Sequence, residues 1–146
     1  MGGGIAGIGA GALTSHDASV IVLGTEGALG YRATGRSAAI FMLNDGNATL
    51  RALTAASRGV LLDPIGIADA PLLSPRGELQ IATPEQTAAL DAYAAGAVGV
   101  ERLTAREACA LAPILREDRI AAALYEPSAQ DIDVHALLQG YARILR

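Results

Sequence analysis

Glycines stand at positions 2, 4 and 7 of the chain, in the run Gly2-Gly3-Gly4-Ile5-Ala6-Gly7. The spacing G-x-G-x-x-G suits a pyrophosphate: the first glycine permits a tight turn, the second lets backbone approach the phosphates, and the third lets the following helix pack closely. Free N–H groups and the dipole at that helix N-terminus then hold the anion. The chemistry implied is cofactor binding. Such a turn normally follows a buried strand, and only Met1 precedes it here. Taken alone the motif is a weak signal, and a Gly-rich terminus of no function would look the same.

Other reactive residue types are sparse. His16 and His135 have no serine, cysteine or second histidine at a useful spacing, so neither is assigned chemistry. Asp131 and Asp133 suggest a metal pair but lack a nearby third ligand, and read better as turn and helix-cap residues. Cys109 lies among Ala and Leu, where a buried, inert thiol is expected; a single cysteine forms no internal disulfide, which points to the cytoplasm. No catalytic base and no metal site can be nominated. Thr34, Ser37 and Arg36 carry groups that can hydrogen-bond phosphate or ring oxygens. Each has a plain alternative: turn or helix cap for the two hydroxyls, and exposed side chain for the arginine.

These residues need elements to position them. Ile5 to about Leu13 reads as a short Gly/Ala helix, and Ser19-Val20-Ile21-Val22-Leu23 as a buried strand, together the helix and second strand of a βαβ unit. Gly24 to Gly35 is a loop long enough to be functional. Ser37 caps an apolar segment to Leu43, and Asn47 caps a longer helix that ends at Asp63-Pro64. Leu72 to Gly77 is a bridge containing a turn, and Glu78 to Ala82 a strand. Thr83-Pro84-Glu85-Gln86 starts a helix reaching about Ala95, with Pro at its first position. Thr104-Ala105-Arg106-Glu107 is a capping box for a short helix closed by Pro113. Ala121 to Tyr125 is another strand, and Asp133 caps a final helix.

At 146 residues, 51% of them hydrophobic, the chain can build one ordinary core. The net charge is -4, and the eleven cations, all arginine, are scattered, which excludes a nucleic-acid stripe. The apolar N-terminus lacks a basic region and is cut by Ser15-His16-Asp17, so neither a signal peptide nor a membrane span is expected.

The glycine run, the segment Gly30-Tyr31-Arg32-Ala33-Thr34-Gly35-Arg36-Ser37-Ala38-Ala39, the helix Arg51 to Arg58, and Asp131-Ile132-Asp133 with Gln139-Gly140-Tyr141 occur in one order. In that order they resemble the FAD-dependent D-amino-acid oxidase-like family, and within it the D-arginine dehydrogenases. The resemblance implies an α/β fold: a partial Rossmann-like FAD-binding domain, built on the glycine-motif helix and second strand, with additional helices and short strands of a substrate domain. It implies a cofactor part at 1–64, the start of a substrate part at 65–130, and a helix returning to the cofactor domain at 131–146. Gly2, Gly4, Ala6 and Gly7 would face the FAD pyrophosphate. Ala33, Thr34, Gly35, Arg36, Ser37, Ala38 and Ala39 would run along the cofactor toward its ring. Glu78 matches the carboxylate that pairs with the cationic end of the substrate, though a solvent-facing strand residue would look the same. The implied substrate is a small amine or D-amino acid, oxidised by hydride transfer from Cα to flavin N5.

The sequence departs from the family in three places. Gly24, with Thr25 beside it, stands where the family has an acidic ribose partner, and Glu26 lies two residues on. Ile40 and Asp45 replace a histidine and a tyrosine of the substrate pocket. The resemblance covers only the N-terminal part of such an enzyme, without the first strand and the C-terminal half. Two other readings stay open: a truncated, inactive fragment completed, if at all, by a partner chain, and a Rossmann-type NAD module.

Overall fold

Where the glycine turn ends, a helix begins. In the computed structural model, which describes residues 2–145, helix α1 (Ile5–Thr14) is followed by a 3-10 turn (Ala33–Arg36) and strand β1 (Ile40–Phe41). Then come α2 (Ala48–Leu62), β2 (Leu73–Pro75), β3 (Glu78–Ala82), a 3-10 turn (Pro84–Gln86) and α3 (Thr87–Ala95). The chain continues through β4 (Glu101–Leu103), α4 (Ala105–Leu111), a third 3-10 turn (Glu117–Arg119), β5 (Ala122–Glu126), β6 (Gln130–Ile132) and α5 (Val134–Ile144). The architecture is mixed α/β with two small antiparallel sheets, ordered β1-β6-β2 and β3-β5-β4. The chain forms two units, one of Met1–Ile40, Ser57–Ser74 and Asp131–Arg146, the other of Phe41–Ala56 and Pro75–Gln130.

The first unit is organised by α1 and α5. Leu138 and Ala142 lie one turn apart on a face of α5, where they join Ile8 in a buried cluster, and the C-cap Leu145 continues that spacing. Ile5, Val22, Tyr141 and Leu145 pack against that cluster. Asp133 caps α5 as its position implies, its Oδ1 accepting the Ala136 N–H at 2.8 Å. Gly140 is required by close approach, since a Cβ there would lie 2.2 Å from the Ile67 carbonyl oxygen. Arg143 donates to the same carbonyl at 2.7 Å.

Three local expectations are corrected. Ser19–Leu23 forms no strand among the described residues. Nor is the run buried throughout: Val22 packs on the α1–α5 cluster, but Ile21 and Leu23 are 85% and 74% exposed. A strand also needs a neighbour to exchange N–H and C=O groups with, and the run has none there. Ser37 caps no helix; it follows the first 3-10 turn, and its Oγ accepts the Ala39 N–H at 3.0 Å, the local bond by which serine competes with helix formation. Asp131 lies within β6 and not in a turn.

In the second unit β5 is central, pairing antiparallel with β3 in the register Glu78↔Glu126 to Ala82↔Ala122, and with β4 from Glu101↔Tyr125 to Leu103↔Ala123. Ala82 and Leu124 of this sheet bury Leu90 of α3. The expected capping box at Thr104/Glu107 is formed, and the helix start expected at Thr83 is made by a second one, between Thr83 and Gln86. Asn47 likewise caps α2, accepting the Leu50 N–H at 3.1 Å. Glu126, only 1% exposed, accepts from Leu43 N–H at 3.0 Å and from Asn44 Nδ2 at 2.9 Å. Asn44 in turn exchanges bonds with the backbone of Val98, so this buried polar network is satisfied at each of those contacts.

Candidate cofactor site

The glycine turn is closed by contacts that a larger residue would break. Gly30 N–H donates to the Gly3 carbonyl at 2.8 Å, and Gly35 N–H to the Gly30 carbonyl at 2.7 Å. A Cβ at Gly7 would sit 2.0 Å from the Gly2 carbonyl oxygen, so the turn cannot take this shape with any side chain there. Gly4, at the N-cap of α1, offers no capping side chain. Thr34 reaches in from the following loop, its Oγ1 accepting the Ile5 N–H at 3.0 Å. The amides of Ala6 and Gly7, in the same first turn, have no acceptor among the described residues.

Beside this turn lies a cavity of about 630 Å³, walled by Gly2, Gly3, Gly4, Ala6 and Gly7, by Val22 and Gly24 to Glu26, and by the loop from Ala28 to Thr34. A second cavity of about 470 Å³ shares Leu29, Gly30 and Thr34 with the first and is lined further by Gly35, Ser37, Ala38 and Ala39, with Asp131 and His135 opposite in sequence. Of the cofactor-binding residues expected from the sequence, Gly2, Gly4, Ala6, Gly7, Ala33 and Thr34 thus line the first cavity. Gly35, Ser37, Ala38 and Ala39 line the second, and Ala39 holds a positive φ of 51°. Arg36 lines neither, its guanidinium lying 5.9 Å from the centroid of the Tyr31 ring.

Gly24 borders the first cavity but has no side-chain acceptor to bring to it; a Cβ there would meet Gly3 N at an ordinary 3.6 Å. The carboxylate that does border the cavity is Glu26, ion-paired to Arg32. This pair, and the lining by Leu29, Asp131 and His135, escaped the sequence reading, because loop residues brought together by tertiary closure follow no period.

Glu78 belongs to the second unit, at the first position of β3 and half-buried. Burial pushes its carboxyl above the usual range; a hydrogen bond from Gln80 Nε2 at 3.2 Å opposes this, and the charges of Glu126 and Asp45 add to it. Among the described residues no group of three His, Cys, Asp or Glu side chains could hold a metal, and no helix is long and apolar enough to cross a membrane.

The two cavities fit an elongated dinucleotide: open amides at a helix N-terminus for its anionic centre, a wall with no room for a Cβ beneath it, and space on both sides of Thr34. Residues 1–146 match the model of a family described as FAD dependent oxidoreductase, DAO. Among solved structures, the chain is similar to glycine oxidase from Geobacillus kaustophilus, with 23% identity and a TM-score of 0.76, covering 99% of this chain and 42% of that one. It is also similar to L-proline dehydrogenase from P. horikoshii (17% identity, TM-score 0.73, 99% and 40% covered). A third match is iminodiacetate oxidase from Chelativorans sp. BNC1 (25% identity, TM-score 0.71, 99% and 42% covered). The chain spans well under half the length of these structures.

Proposed function

The chain belongs to the FAD-dependent oxidoreductase (DAO) family, and on that premise we propose that its first unit is the cofactor-binding part of an enzyme that oxidises a small amine or D-amino acid. The observation that carries this reading is the glycine turn: two amides without acceptors among the described residues border a cavity at a position where no Cβ fits. Ala6 and Gly7 would donate to the pyrophosphate oxygens, while Thr34 fixes the first turn of α1 from behind. Gly35, Ser37, Ala38 and Ala39 would follow the cofactor toward its ring. Arg36, stacked on Tyr31, would act on the pyrophosphate through its charge and not by contact. When bound, FAD supplies the acceptor for the hydride leaving the substrate Cα.

Glu78 is the residue of this chain proposed to meet the substrate, pairing with a guanidinium or ammonium as in the D-arginine dehydrogenases. A carboxyl whose burial raises its pKa gains much from a cation, because the charged form is the one that lacks solvation. The isolated 146 residues are proposed to bind FAD weakly and to turn over nothing, the reaction belonging to a longer polypeptide or a completed assembly. The match to well under half of each relative supports this, as does the run Ser19–Leu23, which pairs with no strand among the described residues. Lone Cys109 on α4 agrees with a reducing compartment.

Calorimetric titration of the purified protein with FAD tests the cofactor reading. Saturable binding at one site, weakened by Gly7→Ala, is the expected result. No heat of binding at millimolar FAD would overturn it.

A further inference from the structure

Glu26 is the carboxylate lining the cavity beside the glycine turn, and its hydrogen bonding is lopsided. Arg32 donates to it twice, from Nε at 2.6 Å and from Nη2, and both bonds end on Oε1. Oε2 receives no donor among the described residues. The Glu26 side chain is 28% exposed against 76% for Arg32, so the carboxylate is the sheltered member of the pair. Dinucleotide folds place a carboxylate about 20 residues past the glycines to accept from ribose hydroxyls. Here that position is Gly24, which carries no carboxylate.

We propose that Glu26 takes this part: its free Oε2 accepts hydrogen bonds from the vicinal hydroxyls of the adenosine ribose, and Arg32 is the positioning residue that fixes the carboxylate for it. The proposal rests on reading the cavity as the FAD site. A glutamate on a glycine-flanked loop would otherwise have to be ordered when the ligand arrives, at a cost in affinity. Two arginine bonds to a single oxygen order it beforehand and leave the other oxygen open.

The test is calorimetric titration of the 146-residue protein with ADP and with 2′,3′-dideoxy-ADP, which differ only in the two hydroxyls. The wild type should prefer ADP by about 10- to 100-fold, the range for hydrogen bonds to a charged acceptor. Glu26→Ala should bring the ratio close to unity by weakening ADP alone, and the near-isosteric Glu26→Gln should lower it while leaving the thermal melt in place. Arg32→Ala should lower the ratio and Arg32→Lys restore part of it. If the Glu26 variants bind ADP but keep the wild-type ratio, or if the wild type shows no preference, Glu26 is not the ribose acceptor and the cavity reading stands. If the wild type binds neither ADP nor FAD, the cavity reading falls and this assignment with it.

Discussion

Gly7 and Gly24 both border the cavity, yet they should respond to the same substitution in opposite ways. At Gly7 a methyl group would overlap the Gly2 carbonyl, whereas at Gly24 it would rest against Gly3 at van der Waals distance. Gly7→Ala should therefore destabilise the first unit by about 1 to 3 kcal/mol, the usual cost of a strained backbone, and weaken FAD. Gly24→Ala should bind FAD like the wild type. Chemical denaturation and calorimetry on the two variants check this, and equal behaviour would refute it. Glu78 provides a pH-dependent counterpart in the second unit. Its burial raises the folded pKa above the unfolded one, so its contribution to stability is fully present below the unfolded value and is lost as pH rises through the folded value. Glu78→Gln lacks that titration. The wild type should lose urea resistance relative to Glu78→Gln as pH is raised from the acid side of the carboxylate range toward neutrality, and parallel curves would show that the carboxyl is unperturbed.

The helix ends were legible because a cap is a local device in which the residue type and the bond it makes lie within one turn. Asn47, Thr83 with Pro84 and Gln86, Thr104 with Glu107, and Asp133 all cap where the sequence places them. The three-residue strands β4 and β6 were not legible, being too short for a period of two to register. Ser19–Leu23 has the composition of a strand, but composition gives no ladder partner. The site divides the same way: the glycine spacing announces the turn, while the Glu26–Arg32 pair depends on how a loop closes. The caps also make a prediction about α5, whose packing on α1 forms the core of the first unit. Asp133→Ala removes the acceptor for the Ala136 N–H and should lower stability by about 1 kcal/mol. Asp133→Ser, another good cap, should recover most of it in thermal melts; if it recovers none, the aspartate acts through something other than capping.

At the scale of the whole chain, a match across all 146 residues coincides with coverage of only 40% to 42% of the solved relatives. Within the chain itself, the run Ser19–Leu23 sets exposed apolar side chains beside backbone that joins no ladder among the described residues. Ile21 and Leu23 point out from the run whose other face, at Val22, is packed on the α1–α5 cluster, and the run has no ladder neighbour among the described residues. Exposed β-branched backbone with open N–H and C=O groups is a template for pairing with another chain. The isolated protein should therefore self-associate with rising concentration. Changing Ile21 to Glu together with Leu23 to Lys should reduce that association while leaving the melting temperature near the wild-type value, since neither side chain belongs to the core. Sedimentation velocity over a concentration series reads the first effect and thermal melts the second. A double variant that associates as strongly as the wild type would place the sticky surface elsewhere, and one that melts early would show that these side chains are packed in solution after all.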